Sequence, residues 1–223
     1  LNLILLSEAY KNYNLNSLKV ITYGTEPMPE NTLLKINSIY PDIKLQQTYG
    51  LSEVGILRSK SKDSKSLWVK IGGEGFETRV VNGLLEIKAK SAMLGYLNAP
   101  SPFTEDGWFK TGDEVDVEGE YFLIKGRKSE IINVGGEKVY PQEVENTILG
   151  LDYVLDVLVY GEPHPIIGNI VVAEVYLIDA DKIISFKKDI KKYCFTHLDN
   201  YKVPAKIKLM KDLQFSKRFK KKR

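Results

Sequence analysis

Residues that could bind a charged ligand or take part in a reaction are concentrated in a few stretches of the 223-residue chain. Four of them are rich in glycine and polar side chains: YGTEP (23–27), QTYGLSE (47–53), GWFKTGD (107–113) and GRKSEIINVGGEKVYPQEVE (126–145). Taken singly, each has an ordinary structural explanation, because glycines punctuate strands, a tyrosine at a strand end packs, and an aspartate after a glycine caps or turns the backbone. Any shared chemistry must therefore be judged from their order and spacing.

A further stretch with reactive side chains is the C-terminal FSKRFKKKR (215–223), where six of the last eight residues are Lys or Arg. It could bind a polyanion, be a disordered tail, or contain one lysine that acts in a reaction. The whole chain has 32 Lys+Arg and 29 Asp+Glu, but without these six cations 26 face 29, a net charge of −3. A nucleic-acid-binding protein would spread its cations over a face, so the sequence argues against nucleic acid as a partner.

The composition is that of a globular protein, with 43% hydrophobic and 27% charged residues, and the length permits one large or two ordinary domains. No apolar run approaches the ~20 residues of a membrane span, and no signal-peptide pattern opens the chain. The single cysteine, Cys194, excludes an internal disulfide and favours a reducing, cytoplasmic compartment. Because the sequence starts at Leu1 within an amphipathic segment, we expect a partial chain.

The elements that must position the first stretches alternate between strand and helix. A strand is predicted at 18–24, a helix at 29–40 with Leu33, Leu34 and Ile39 apolar, and a strand at 43–50, which gives a β-α-β order. From 67 to about 125 the pattern changes to short strands with glycine turns, including hairpins around Asn82-Gly83 and around residues 118–120.

The second half of the chain predicts a smaller domain. Pro141 suits the first turn of a helix that carries Val144 and Ile148. Strands are predicted at 153–161 and 169–178, and a helix at 181–198 from apolar residues at helical spacing. The fold class is therefore α/β followed by α+β, with a boundary near residues 125–130.

In this order and spacing, the four stretches closely resemble the motifs of the adenylate-forming (AMP-binding) superfamily, of the acyl-CoA synthetase type. The resemblance runs from about residue 18 to the last residue and implies the C-terminal part of a typical member. Such enzymes activate a fatty or aryl carboxylic acid with Mg-ATP to acyl-AMP, and most transfer the acyl group to coenzyme A. The resemblance implies part of the large N-terminal domain (1–125, β-α-β plus a small β-barrel-like subdomain), a hinge (126–130) and a mobile α+β domain (131–223).

The resemblance assigns nucleotide-binding roles to the first three stretches. Tyr49 would stack on adenine, Gly50 would allow close approach, and Ser52 stands where the family usually has Thr. Glu53 would hold Mg²⁺ and act in catalysis, and Asp113 would accept both ribose hydroxyls; a cap or a surface acid is the alternative for either carboxylate. The other residues implied in binding AMP or ATP are Gly24, Thr25, Glu26, Pro27, Thr48 and Arg127.

The resemblance implies that the fourth stretch contains the hinge and contacts the thiol substrate. Ser129 stands at the hinge position where the family commonly has Asp or Lys. Gly135 and Gly136 have no Cβ, so a pantetheine arm of coenzyme A could pass against the backbone. Lys138 could meet a CoA phosphate, or be a solvated surface lysine.

The family ends with a stretch like LPKTxSGKxxR, whose Lys enters the active site during adenylation. An alignment without gaps puts Lys220 on this catalytic Lys and Arg223 on the final Arg, with Gln214 in place of Pro and Phe219 in place of Gly. Lys220 would neutralise charge developing on the α-phosphate. Lys217 is the alternative register.

These observations predict a ligase that uses a small-molecule carboxylic acid, ATP and CoA. Because the family's phosphate loop is not in this sequence, we expect the chain alone not to catalyse adenylation efficiently. Three alternatives stay open: transfer of the acyl group to the phosphopantetheine thiol of an acyl-carrier protein, a non-catalytic nucleotide-binding or interaction module, and a polyanion binder, which the acidic body disfavours.

Overall fold

The computed structural model describes residues 1, 4–5, 7–15, 17–24, 26–178 and 184–210. The chain divides into two compact units, Leu1–Ser129 and Glu130–Arg223. The first contains a β-α-β segment and a six-stranded antiparallel sheet, and the second contains a five-stranded sheet with helices. The α/β part followed by an α+β part that the sequence predicts is confirmed.

The first unit opens with a β-α-β segment. Strands β1 (Val20–Tyr23) and β2 (Lys44–Gln47) pair in parallel, and helix α1 (Glu30–Ile39) connects them. Leu33 and Ile36 of the helix are almost completely buried. Leu34 is 40% exposed, because it lies ~100° around the helix from Leu33.

The single strand predicted at 43–50 is two strands. After β2 the backbone N–H of Thr48 donates to the carbonyl of Tyr23 at 2.7 Å. The chain then forms an antiparallel hairpin from β3 (Tyr49–Leu51) and β4 (Gly55–Leu57). Period-two alternation cannot show this break, since both pieces are extended.

The edge of β2 that faces away from β1 is held by serine hydroxyls. Three alternate backbone N–H groups donate to them: Leu45 to Ser64 (3.1 Å), Gln47 to Ser61 (2.8 Å) and Tyr49 to Ser59 (3.3 Å). These bonds satisfy backbone donors that no strand pairs. They also fix the position of Tyr49 at the start of β3.

The remaining strands of the first unit form an antiparallel sheet in the order β5-β6-β10-β9-β8-β7. Their bounds are β5 Ser59–Ser61, β6 Val69–Ile71, β7 Phe76–Val81, β8 Leu84–Ala89, β9 Phe109–Glu118 and β10 Tyr121–Arg127. The predicted hairpins are confirmed: Asn82 and Gly83 have φ of 53° and 79°, as the turn type favoured by Asn-Gly requires, and Gly119 has φ of 61°. Pairing of β9 with β10 places Arg127 opposite Asp113.

The second unit is a five-stranded sheet with two helices, α2 (Pro141–Ile148) and α3 (Phe186–His197). The strands are β11 Ile132–Val134, β12 Glu137–Val139, β13 Val154–His164, β14 Gly168–Leu177 and β15 Lys206–Leu209. The sheet order is β12-β11-β14-β13, and β15 pairs in parallel with β14. Residues 132–139 form a hairpin, and part of the helix predicted at 181–198 lies outside the described residues.

The core of the second unit lies between the sheet and the two helices. Val144, Ile148, Ile190 and Cys194 are completely buried there. Burial raises the pKa of the Cys194 thiol to about 11, so the thiol stays neutral at physiological pH. No helix among the described residues combines the length and apolar character needed to cross a membrane.

Candidate nucleotide-binding site

The centre of the candidate site is the buried carboxylate of Asp113 on β9. The hydroxyl of Tyr49 donates to Asp113 Oδ2 at 2.5 Å, and Arg127 Nε lies 3.6 Å from Oδ1. The backbone N–H of Asp113 donates to Thr111 Oγ1 (3.0 Å), which in turn donates to the carbonyl of Leu85 (2.7 Å). Asp113 is therefore held from both its side chain and its backbone.

The electrostatics of this cluster fix which group donates. Burial, together with the negative charge of Asp113, raises the pKa of the Tyr49 hydroxyl, so Tyr49 stays protonated and Asp113 accepts. The Arg127 side chain is 56% exposed. An exposed cation 3.6 Å from a carboxylate contributes little to stability, and its other donors remain accessible to an anionic ligand.

A second carboxylate, Glu53, follows β3 and is partly exposed. Tyr96 donates its hydroxyl to Glu53 Oε1 at 2.6 Å, and this bond raises the pKa of Tyr96. The backbone N–H of Met93 donates to the Glu53 carbonyl at 2.7 Å. Tyr96 thus orients Glu53, a role the sequence analysis missed because no local pattern connects residues 43 positions apart.

The surroundings of Glu53 fit a magnesium ion bound together with a nucleotide. In nucleotide sites Mg²⁺ is usually held by one or two carboxylates plus substrate phosphates, without an all-protein cage. Within the described part of the chain, no group of three or more His, Cys, Asp or Glu side chains is placed to hold a metal. Glu53 is a single, partly exposed carboxylate, and Tyr96 bonds to only one of its oxygens. This arrangement suits a Mg²⁺ ion that is also bound by substrate phosphates.

The first two stretches meet where β1 and β2 end. Both the backbone N–H and the hydroxyl of Thr48 donate to the Tyr23 carbonyl, at 2.7 Å and 3.0 Å. A Cβ added to Gly24 would lie 2.4 Å from Thr48 Oγ1 and 2.6 Å from the Thr48 carbonyl oxygen. Gly24 is therefore required for the close approach of the two segments.

Substitution of Gly24 by Ala is expected to lower the free energy of unfolding of the first unit by ~2–3 kcal/mol, because the clash is with a backbone atom that cannot rotate away. Trp68 and Trp108 are the only tryptophans and both lie in this unit, so fluorescence during urea unfolding reports it. Gly119→Ala is the control, since nothing lies within 4 Å of its added Cβ and only the φ of +61° opposes it. Equal losses in the two variants would contradict the clash.

Other predicted binding residues have visible structural roles. A Cβ on Gly50 would lie 2.9 Å from the Cα of Ile56, so this glycine permits the β3–β4 pairing. Ser52 and Pro27 are exposed and Glu26 is partly exposed. None of these observations assigns a ligand to them.

In the second unit, Gly135 and Gly136 form the turn between β11 and β12, with φ of 60° and 96°. Gly136 donates its backbone N–H to Asn133 Oδ1 at 2.9 Å. Lys138 lies exposed on β12. Ser129 is the last residue of the first unit, in a short 3-10 helix, Lys128–Glu130. The hinge and CoA-binding roles of these residues stay predictions.

The structure thus brings together Tyr49, Asp113 and Arg127, and separately joins Gly24 to Thr48. Thr25 and the lysines of the tail, Lys217 and Lys220, lie outside the described residues.

Comparison with known proteins gives one consistent result. Residues 143–220 match the family model "AMP-binding enzyme C-terminal domain". The long-chain-fatty-acid–CoA ligase FadD13 of Mycobacterium tuberculosis is 33% identical over 203 residues, which cover 82% of this chain and 39% of that protein. The 3,4-dihydroxybenzoate–[aryl-carrier protein] ligase of Bacillus anthracis is 32% identical, over 89% of this chain and 44% of that protein.

The fold agrees with the sequence comparison. The ATP-bound RpMatB-BxBclM chimera B1 superposes with a TM-score of 0.77 at 25% identity, over 88% of this chain and 43% of that one. The fold and the motifs define the class of adenylate-forming enzymes. The chain belongs to this AMP-binding class and corresponds to the C-terminal part of these proteins. It spans about two-fifths of the length of the curated relatives it matches.

Proposed function

We propose that this chain is the nucleotide-binding and C-terminal portion of an AMP-forming ligase that activates a carboxylic acid with ATP and transfers the acyl group to coenzyme A. The observation that carries the proposal is the buried Asp113 carboxylate held between the Tyr49 hydroxyl and Arg127. A fixed, ionised acceptor beside an accessible cation suits a ribose next to a phosphate.

Asp113 would accept hydrogen bonds from the ribose hydroxyls, and Tyr49 keeps it oriented because the phenol stays protonated. Arg127 would donate to the ribose or a phosphate, and Ser52 would donate to the α-phosphate. Glu53, oriented by Tyr96, would hold Mg²⁺. That ion, when bound, neutralises phosphate charge.

Lys220 would neutralise charge on the α-phosphate and hold the attacking carboxylate during adenylation. Gly135, Gly136 and Lys138 would meet coenzyme A near the β11–β12 turn. The exposed positions of these three residues in the second unit support this assignment.

A carrier protein is the second candidate for the acyl acceptor. It is favoured by the likeness to the aryl-carrier protein ligase, which covers 89% of this chain. Product formation with free CoA should be compared with product formation with a phosphopantetheinylated carrier. The acceptor that gives the higher kcat/KM is the physiological one.

The proposal is tested by acid-dependent ATP–pyrophosphate exchange and by AMP binding. We expect this chain alone to bind AMP measurably in calorimetry but to give no robust exchange, because it lacks the family's phosphate loop. A protein that joins this chain to a segment containing that loop should give exchange with its acid. Robust exchange by the chain alone would contradict the expected incompleteness, and absence of both AMP binding and exchange in the joined protein would overturn the function.

A further inference from the structure

The outward side of helix α3 carries four lysines that pair with no carboxylate of the described residues. Lys187, Lys188, Lys191 and Lys192 are all exposed, and none of them makes an ion pair with a described residue. The one contact of this group is between Lys187 Nζ and the Phe186 ring, 5.8 Å from its centroid. Three other described lysines of the unit are paired: Lys202 with Glu143 at 2.7 Å, and Lys206 and Lys208 with Glu162.

Large apolar side chains are exposed beside these lysines. Ile184 is 98% exposed two residues before the helix, and Phe195 is 52% exposed in its last turn. At 100° per residue, the four lysines and Phe195 lie within an arc of about 140°. We call this surface, with Ile184, the lysine face; the opposite side of the helix, including Ile190 and Cys194, is buried in the core.

The helix has one acidic residue, Asp189, and it makes no ion pair with the lysine face. Asp189 is only partly exposed and lies outside the arc of the lysines. Within the part of the chain that the structure describes, the lysine face thus carries four unpaired positive charges around two exposed apolar side chains.

We propose that the lysine face docks onto an anionic lipid bilayer. Protein–protein interfaces are enriched in Arg and aromatic residues and depleted in Lys, whereas this face has four lysines and no arginine. A lysine is a compact point charge without the planar fork that recognises one carboxylate. Clustered lysines suit the diffuse negative potential of a lipid surface, into whose headgroup layer apolar side chains can insert.

The expected strength follows from the number of cations. Each lysine near an anionic surface multiplies the affinity about fivefold, so loss of four charges should weaken binding several hundredfold at low salt. Because the Debye length falls to ~3 Å at 1 M salt, added NaCl should release the protein. Neutral phosphatidylcholine should bind it weakly, since only Ile184 and Phe195 then contribute.

The test is cosedimentation of the full chain with vesicles of phosphatidylglycerol mixed with phosphatidylcholine, and with vesicles of phosphatidylcholine alone. The variant Lys187→Gln, Lys188→Gln, Lys191→Gln, Lys192→Gln is expected to lose at least about 100-fold in affinity for the anionic vesicles. The matched control makes the same charge change at four exposed lysines of the first unit: Lys44, Lys60, Lys90 and Lys110. Because both variants keep the basic C-terminal sequence, that sequence cannot explain a difference between them.

The proposal holds if the control binds within a few-fold of the unaltered chain and Phe195→Ser weakens binding by about fivefold. Equal binding by the lysine-face variant and the control would overturn it, as would equal binding to neutral and anionic vesicles. Lysine-dependent retention on immobilised poly-glutamate without vesicle binding would overturn it in favour of an acidic protein partner. Circular dichroism of each variant confirms that the helix is retained.

Discussion

Substitution of Asp113 by Asn is expected to weaken AMP binding by this chain about 10- to 100-fold, as measured by calorimetry. Asn has nearly the same shape and can still accept the Tyr49 hydroxyl, so the change removes the negative charge and one acceptor oxygen. Hydrogen bonds to a charged group contribute ~1.5–3 kcal/mol, which corresponds to this loss. Asp113 is only 7% exposed, so little solvent is available to replace the missing acceptor.

A comparison of two ligands, with and without the ribose hydroxyls, tests the role of Asp113 more directly. If Asp113 accepts the ribose hydroxyls, the unaltered chain should prefer AMP to 2′,3′-dideoxy-AMP, and Asp113→Asn should lose that preference. Asp116→Asn is the matched control, because Asp116 lies on the same strand but is exposed and pairs with Lys125 at 3.3 Å. Unchanged discrimination in Asp113→Asn would remove Asp113 from the ribose site.

In an adenylation-competent protein that includes this chain, Lys220→Ala is expected to slow acid-dependent ATP–pyrophosphate exchange by ~10²–10³-fold. The reason is electrostatic: a cation aimed at charge that develops in the transition state contributes far more than one at a solvated surface. Thioester formation from preformed acyl-AMP should be nearly unchanged, because the family resemblance places this lysine in the active site only during adenylation.

Lys217→Ala tests the alternative register of the same segment. It should leave both half-reactions close to those of the unaltered protein. An equal loss from Lys217→Ala, or none from Lys220→Ala, would contradict the ungapped alignment of the tail. A loss of both half-reactions would indicate that Lys220 contributes to folding or to acyl-AMP binding in general.

Local signals predicted the elements whose ends are marked by particular residues. Pro141 marks the start of α2, and Asn82-Gly83 defines the turn between β7 and β8. Apolar periodicity predicted α3, of which Phe186 and Ile190 are buried as expected. The sequence did not predict the short strands β11, β12 and β15, because they have only three or four residues and are defined by the strands with which they pair.

The motifs predicted which residues belong to the candidate site, but they did not predict the contacts between those residues. The motifs indicated Tyr49, Glu53 and Asp113, but not that the Tyr49 hydroxyl would bond to Asp113, 64 positions away. Nor did any pattern link Tyr96 to Glu53. Such contacts arise from the pairing of strands distant in sequence, which residue types alone do not determine.

The serine hydroxyls that accept hydrogen bonds from the edge of β2 oppose aggregation of this protein through strand pairing. An unpaired strand edge is a template on which another chain can add by backbone pairing. Here the N–H groups of Leu45, Gln47 and Tyr49 already donate to side chains of the same molecule. An incoming strand would have to break three bonds before making its own and would have to displace β5, which carries Ser59 and Ser61, so this edge is protected from intermolecular β-addition.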